Sequence, residues 1–176
     1  MRRLSSLAPL VALVVAGCVP RVTPPPAPAP APRSAPAPAP APSPAPTGDW
    51  RDWPLTPGDW TYRQTAGGGV STFGVAGSAP AVTLSCERAA RRVTLVRAGA
   101  TAGAPAMTIV TTSATRTLPS RPDGAGGMAA SVVASDSLLD AIGYSRGRVV
   151  IEQAGLPTLV VPSWPEIERV VEDCRG

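Results

Sequence analysis

The stretch Ala81-Val82-Thr83-Leu84-Ser85-Cys86-Glu87 alternates apolar and polar side chains without a break. Successive side chains of a β-strand point to opposite faces of its sheet, so this pattern predicts a strand with one buried face. Val82, Leu84 and Cys86 would point into the core. Such a strand needs neighbouring strands and a covering layer, and the rest of the chain supplies candidates for both.

Short runs rich in β-branched residues, separated by turns that contain Gly and Pro, recur on both sides of this strand. This spacing predicts a mainly β domain of about seven or eight antiparallel strands. The arrangement is expected to be a small sandwich or a partly open barrel. The further strands are expected at 60–65, 70–75, 92–97, 107–112, 129–134 and a terminal hairpin of 148–153 with 158–161. Gly67-Gly68-Gly69 is predicted to be a hairpin turn, and 121–127 a loop.

A short internal helix is predicted over 137–142. Asp136 or Ser135 precedes it and can cap its first turn, and Gly143 follows as a stop signal. Its apolar residues would pack inward.

A second, amphipathic helix is predicted at the C-terminus. Ser163-Trp164-Pro165-Glu166 matches a capping box, with Ser163 as the N-cap and Glu166 bonding back to it. The apolar residues that follow have the spacing of one helical stripe; they are Ile167, Val170, Val171 and Cys174.

The chain begins with a short positive segment, Met1-Arg2-Arg3, and a mostly apolar run over 4–16. This run is too short to span a bilayer as a helix and fits a secretory signal. It ends in Leu13-Val14-Val15-Ala16-Gly17-Cys18, which resembles a lipobox, the processing site of bacterial lipoproteins. The resemblance implies that 1–17 is removed and that Cys18 is lipidated and becomes the N-terminus of a membrane-anchored protein.

The residues after Cys18 extend these expectations. Val19 stands where many Gram-negative lipoproteins that stay in the inner membrane have Asp, so the resemblance implies the outer membrane, facing the periplasm. Residues 18–47 then form a tether of repeated Ala-Pro pairs, which excludes helix and sheet and favours an extended polyproline-like spacer. Such a spacer would reach roughly 90 Å. The distal domain is expected over 48–176.

The two remaining cysteines are predicted to form a disulfide. Cys86 lies on the buried face of a strand and Cys174 on the buried face of a helix, so both point at the same core. Two cysteines in one exported domain usually pair. A Cys86–Cys174 bond would therefore hold the last helix on the sheet.

Composition excludes several classes of function. The chain has no histidine, which removes histidine-based catalytic triads and histidine-ligated metal sites. The formal net charge of +4 comes from four arginines before residue 48, so the domain itself is neutral and nucleic-acid binding is not expected. Those arginines are Arg2, Arg3, Arg21 and Arg33.

Two clusters have alternative interpretations. Trp50, Trp53 and Trp60 fall close together and could form an aromatic binding surface for a glycan or partner. They are more readily explained as rings covering the end of the core, because three exposed tryptophans would make a large apolar patch. Four arginines at 88, 91, 92 and 97 could form an anion site, although charges that protect a sheet edge are the favoured interpretation.

The distal domain also shows family resemblances. The runs 139–148 and 155–166 resemble uncharacterised proteobacterial envelope lipoproteins. Gly58-Asp59-Trp60 and the layout are similar to the invasion-associated locus B family of secreted β-rich proteins. That family's paired cysteines near its first strand are missing here, so its function is not carried over.

These features favour a non-enzymatic binding or structural module of the envelope, anchored by its lipid, with peptidoglycan or an outer-membrane protein as partner. No catalytic residue, metal ligand or cofactor is expected. One alternative is a carboxylate-dependent hydrolase of envelope glycan, for which Asp136 and Asp140 are the nearest pair. The other is a carrier that holds a small apolar ligand inside a β-barrel.

Overall fold

The computed structural model describes residues 46–176. The predicted signal peptide over 1–17, Cys18 and the tether up to residue 45 lie outside the described residues. The described part forms ten β-strands, two α-helices and one short 3₁₀-helix at Trp50–Asp52. The strands are β1 (Asp59–Thr65), β2 (Gly68–Gly74), β3 (Val82–Glu87), β4 (Arg92–Ala98), β5 (Met107–Val110), β6 (Thr115–Leu118), β7 (Arg121–Pro122), β8 (Gly127–Val133), β9 (Val149–Gln153) and β10 (Leu159–Val161). The helices are α1 (Ser137–Gly143) and α2 (Pro165–Arg175).

The strands lie in two antiparallel sheets. The larger sheet has the order β1-β2-β3-β4-β8-β7, and the smaller has the order β10-β9-β5-β6. Within the described residues the sheets do not close into a barrel, so the predicted mainly β fold is confirmed as a sandwich. β9 and β10 pair as the predicted terminal hairpin.

The core lies between the two sheets. Val82 and Leu84 of β3 and Leu95 of β4 form part of the inner face of the larger sheet, and Ile109 and Ile151 oppose them from the smaller sheet. Each is at least nine-tenths buried, as the alternation in these strands predicts.

Helix α2 covers the part of the larger sheet around β2 and β3. Its apolar stripe is completely buried, because Ile167, Val170, Val171 and Cys174 are each at most 1% exposed. Ser71 of β2 also donates a hydrogen bond of 2.6 Å to the carbonyl oxygen of Glu166. Helix α1 packs against α2 and buries Leu138, Leu139 and Ile142 as predicted.

Cys86 of β3 and Cys174 of α2 are joined by a disulfide, in agreement with the predicted pair. Their Cα atoms are 5.3 Å apart, and the two residues are separated by 88 positions in the chain. Gly68 passes directly beside this bond with a φ of 139°, and a Cβ there would lie 2.8 Å from the Cys86 Sγ. Only glycine therefore fits at the start of β2.

The predicted capping box at α2 is wrong. The N-cap is Trp164, which makes no side-chain capping bond, and Pro165 occupies the first turn. The Ser163 hydroxyl instead donates to the last carbonyl oxygens of α1, those of Ile142 and Gly143, at 2.8 and 2.5 Å. Pro165 suits the first turn because its missing N–H would have no partner there, the Ile167 N–H bonds to the Trp164 carbonyl at 3.1 Å, and the carbonyls at the end of α1 need a donor.

The strand boundaries also differ from the prediction, and β5 ends at Val110 rather than at residue 112. The first hairpin turns at Ala66-Gly67, and Gly68 and Gly69 already belong to β2. β6 pairs with β5 in a stretch with no predicted strand, and β7 lies inside the predicted loop at Arg121–Pro122. Both are short strands formed by pairing with a partner, which periodicity within one segment does not reveal.

Candidate functional site

An open groove of about 600 Å³ lies where β5 ends and β9 begins. Three separate parts of the chain line it: the 3₁₀-helix, the loop after β5 and the loop after α1. The lining residues are Arg51, Thr112, Ser113, Tyr144 and Arg146. Their side chains supply two guanidinium groups, two aliphatic hydroxyls and one phenol.

Hydrogen bonds hold the two loops of the groove together. Ser145 is 5% exposed, and its hydroxyl accepts from the Thr112 N–H at 3.1 Å and donates to the Arg148 carbonyl at 2.6 Å. The Arg146 N–H donates to the Thr112 hydroxyl at 3.2 Å. Because Ser145 is fixed inside, its neighbours Tyr144 and Arg146 are both exposed, and Tyr144 is 74% exposed.

The segment over 49–53, which contains the 3₁₀-helix, forms another wall of the groove through Arg51. The Arg51 guanidinium lies over the Trp50 ring at 4.8 Å from its centre and 3.3 Å from the Asp49 carboxylate. Arg148 donates to the Trp53 carbonyl oxygen and so ties this segment to the start of β9. Within residues 46–176 Arg146 makes no ion pair, so it carries the uncompensated positive charge of the groove.

The three tryptophans do not form one surface. Trp60 is 6% exposed, packs against Phe73 with ring centres 5.4 Å apart, and donates from its indole to the Pro162 carbonyl at 2.8 Å. It belongs to the core, as in the favoured interpretation of these rings, and is not available for the alternative of an aromatic binding surface. Trp50 and Trp53 are half-buried in the segment beside the groove.

The four arginines at 88, 91, 92 and 97 do not meet in one anion site. Arg88 and Arg91 donate to the carbonyls of Asp173 and Arg175 at 3.2 and 2.9 Å, at the C-terminal end of α2. Positive charge is favourable there because it offsets the helix dipole. Arg97 lies at the other end of β4 and is 1% exposed, so the predicted sheet-edge role is wrong for it.

The carboxylates considered for hydrolysis are both engaged by arginines. Arg116 contacts Asp136 at 2.5 Å, and Arg175 contacts Asp140 at 2.7 Å. Asp136 also accepts from the Leu138 N–H at 2.8 Å as the N-cap of α1. The hydrogen bond from Arg116 lowers the pKa of Asp136, and the cap and the arginine charge add to this. A lowered pKa is the opposite of what a general acid needs.

Asp136→Ala is expected to lower the free energy of unfolding by about 1 to 2 kcal/mol at pH 7, because the helix loses its cap. The folded pKa of Asp136 lies below its ordinary value of 3.8, so its contribution is complete above that pH. It is lost as the pH falls through the folded pKa. Chemical denaturation of both proteins from pH 7 to pH 2 checks this.

Asp136→Asn is the matched control because asparagine also caps helices. It should retain most of the stability at pH 7 and lose only the ion pair with Arg116. A difference between wild type and Asp136→Ala that stays constant down to pH 2 would contradict the assignment.

The space between the sheets is nearly filled. Two apolar voids there each hold about 10 Å³, which is the room of about one water molecule. A ligand carrier of the barrel type encloses a cavity of several hundred Å³, so neither void is a site for such a ligand.

The fold and the groove define a small β sandwich with a disulfide-linked C-terminal helix and a cationic surface groove. No family model, curated protein or solved structure matches the chain. Among residues 46–176, no helix is long and apolar enough to cross a membrane. In the same residues, no three Asp, Glu, Cys or His side chains group as metal ligands.

Sequence reasoning missed the groove residues. Tyr144 and Arg146 lie in a run that carries only a family resemblance, and Thr112 ends the strand predicted over 107–112. Ser113 and Arg51 belong to no predicted site. The sequence feature that could have indicated the groove is Tyr144. It is one of two tyrosines in the chain and lies between Gly143 and a Ser-Arg-Gly-Arg run.

Proposed function

We propose that this chain is a bacterial envelope lipoprotein whose β domain is a non-enzymatic binding module. Its anchor is a lipid on Cys18, and its expected location is the outer membrane, facing the periplasm. The observation that carries the binding role is the groove around Tyr144 and Arg146. The lipobox resemblance and the Ala-Pro tether of the sequence support the anchor and the spacing.

The chemistry of the groove favours an anionic, hydroxyl-rich ligand. Guanidinium groups bind carboxylates through charge-assisted hydrogen bonds, and an exposed phenol offers a flat face against which a sugar ring or a peptide can pack. The hydroxyls of Thr112 and Ser113 add neutral hydrogen-bonding groups. Peptidoglycan combines these features, because its glycan carries ring faces and hydroxyls and its stem peptides carry carboxylates. We therefore favour peptidoglycan over an outer-membrane protein as the partner.

Arg146→Glu is expected to weaken binding to isolated sacculi by about tenfold, equivalent to about 1.4 kcal/mol, because it reverses the unpaired charge of the groove. The test is co-sedimentation of a soluble chain that starts at residue 18 and carries Cys18→Ser. Tyr144→Ala should also reduce pelleting, and added salt should weaken wild-type binding because the exposed charges are screened.

Arg63→Glu is the matched control, since Arg63 is an exposed arginine on β1, outside the groove. It should pellet as the wild type does. Pelleting of Arg146→Glu at the wild-type level would remove the groove from the proposal. Failure of the wild type itself to pellet would remove peptidoglycan and leave an outer-membrane protein, to be found by crosslinking the full lipoprotein in its own envelope.

A further inference from the structure

Arg97 is a buried cation at the end of the sandwich opposite the groove. It shares the inner face of β4 with Val93 and Leu95, and its residue is 1% exposed. Its Nη2 donates to the Pro157 carbonyl oxygen in the turn between β9 and β10. Its Nε and Nη1 are buried and have no hydrogen-bond partner among the described residues.

Two further side chains at this end of the sandwich each have a buried polar atom without a hydrogen-bond partner in the described part of the chain. The Thr101 hydroxyl and the Gln153 Oε1 are buried and lack partners within residues 46–176. With the two nitrogens of Arg97 they make four of the seven such atoms found in that part of the chain. Buried polar atoms without protein partners are uncommon in folded proteins, and these four share one end of the sandwich, where water or a ligand could bind them.

Hydrogen bonds and close packing hold the residues around these atoms in place. The Gln153 amide nitrogen donates to the Pro105 carbonyl at 2.9 Å and to the Ser120 hydroxyl at 2.8 Å, which leaves Oε1 as a fixed acceptor. The loop over 99–106 lies against the turn over 154–158, where a Cβ on Gly99 would lie 2.7 Å from the Leu156 side chain. Pro157 of the turn accepts from Arg97, and Thr101 of the loop lies beside Gly155 of the turn.

No carboxylate compensates the charge of Arg97 within the described residues. Burial lowers its pKa to about 10, so the side chain is still charged at neutral pH. An unpaired buried charge is strongly unfavourable, and a ligand of opposite charge would remove that penalty.

We propose that Arg97, Thr101 and Gln153 form a binding site for a small carboxylate that also carries a hydroxyl group. The free N–H groups of Arg97 would bind the carboxylate, since guanidinium and carboxylate form charge-assisted hydrogen bonds. The Gln153 Oε1 can only accept, so it requires a donor on the ligand, which the hydroxyl supplies. Thr101 can donate or accept. Because the site is covered, entry requires the loop over 99–106 to move away from the turn over 154–158.

The test measures thermal unfolding of the soluble chain with sodium lactate, sodium propionate or sodium chloride at equal ionic strength. Lactate should raise the Tm saturably, by roughly 5 °C relative to chloride. Propionate lacks the hydroxyl and should raise it less. Equal Tm values in lactate and chloride would overturn the proposal, and equal effects of lactate and propionate would overturn the hydroxy-acid assignment.

Arg97→Met tests the cation directly. Replacing a buried charge by an apolar side chain of similar length is often neutral or stabilising, so this variant should fold and lose the lactate response. Arg63→Met makes the same change at an exposed position and should keep it. A full lactate response in Arg97→Met would show that binding occurs elsewhere.

Gln153→Leu tests the discrimination between ligands. It should bring the lactate and propionate responses together, because the acceptor for the hydroxyl is removed. Retained preference for lactate in this variant would contradict the role of Gln153. None of these readouts uses sacculi, so this site can fail or hold independently of the groove.

Discussion

Removal of the disulfide with Cys86→Ala and Cys174→Ala is expected to lower the free energy of unfolding by about 4 to 5 kcal/mol. The bond closes a loop with a sequence separation of 88 residues, and a cross-link over so long a loop restricts the unfolded chain strongly. A small domain has a total stability of about 5 to 15 kcal/mol, so the variant should be close to unfolding at 37 °C.

Guanidinium denaturation followed by tryptophan fluorescence measures this loss, because Trp60 is buried in the folded core. The reduced wild type is the matched control: it keeps both sulfur atoms and loses only the cross-link. It should unfold near the midpoint of the double variant. A reduced protein that unfolds at the same denaturant concentration as the oxidised one would contradict the prediction.

The disulfide should also determine where the domain opens first. Helix α2 is anchored to the larger sheet by four buried residues and by the bond to Cys86. Without the bond we expect faster hydrogen exchange in α2 than in β3 and β4, because a terminal helix can detach while the sheet stays paired. Uniform loss of protection across both would indicate global unfolding instead.

Cys18→Ala is expected to release the protein from the membrane. Each buried CH₂ of a lipid chain contributes about 0.8 kcal/mol, and two or more chains give stable anchorage whereas one is marginal. The lipobox resemblance implies two or three chains on Cys18, so their loss should lower membrane partition by orders of magnitude. Detergent phase separation of cell extracts, with mass spectrometry of the N-terminal peptide, measures both the partition and the lipid.

Val19→Asp is the informative companion variant. It leaves Cys18 in place, so the protein should remain lipidated and in the detergent phase. The resemblance implies that Asp after the lipidated cysteine favours retention in the inner membrane, and membrane fractionation should show the shift. A Cys18→Ala protein that still enters the detergent phase would contradict the anchor.

The strands and helices with strong periodicity were predictable. β3 and β4 alternate, and the stripe of α2 repeats with helical spacing, because one face of each is buried and the other is not. The start of α1 was predictable from Asp136, but the predicted stop at Gly143 is one residue early, because Gly143 belongs to the helix and Tyr144 is its C-cap. The cap of α2 was not predictable, since Ser163 is recruited by the carbonyls of α1, a partner distant in the sequence.

The site residues also divide into those that the sequence predicts and those that it does not. The cysteine pair follows from two independent periodicities that place both sulfurs in one core. The burial of Trp60 agrees with the favoured interpretation of the tryptophan cluster. Arg97 could not be assigned from local pattern, because an arginine at a strand end is usually explained by exposure. The groove joins residues from around 51, 112 and 145, so no single segment shows it.

By itself, the sequence determined the mainly β class, both helices, the pairing of Cys86 with Cys174 and the expectation of a lipid anchor at Cys18. These depend on local periodicity, on composition or on a short motif, all of which are contained within neighbouring residues. Only the tertiary structure decided the sandwich, the groove at Tyr144 and the burial of Arg97. Those features depend on which distant segments pack together, and packing is set by the sum of many contacts across both sheets.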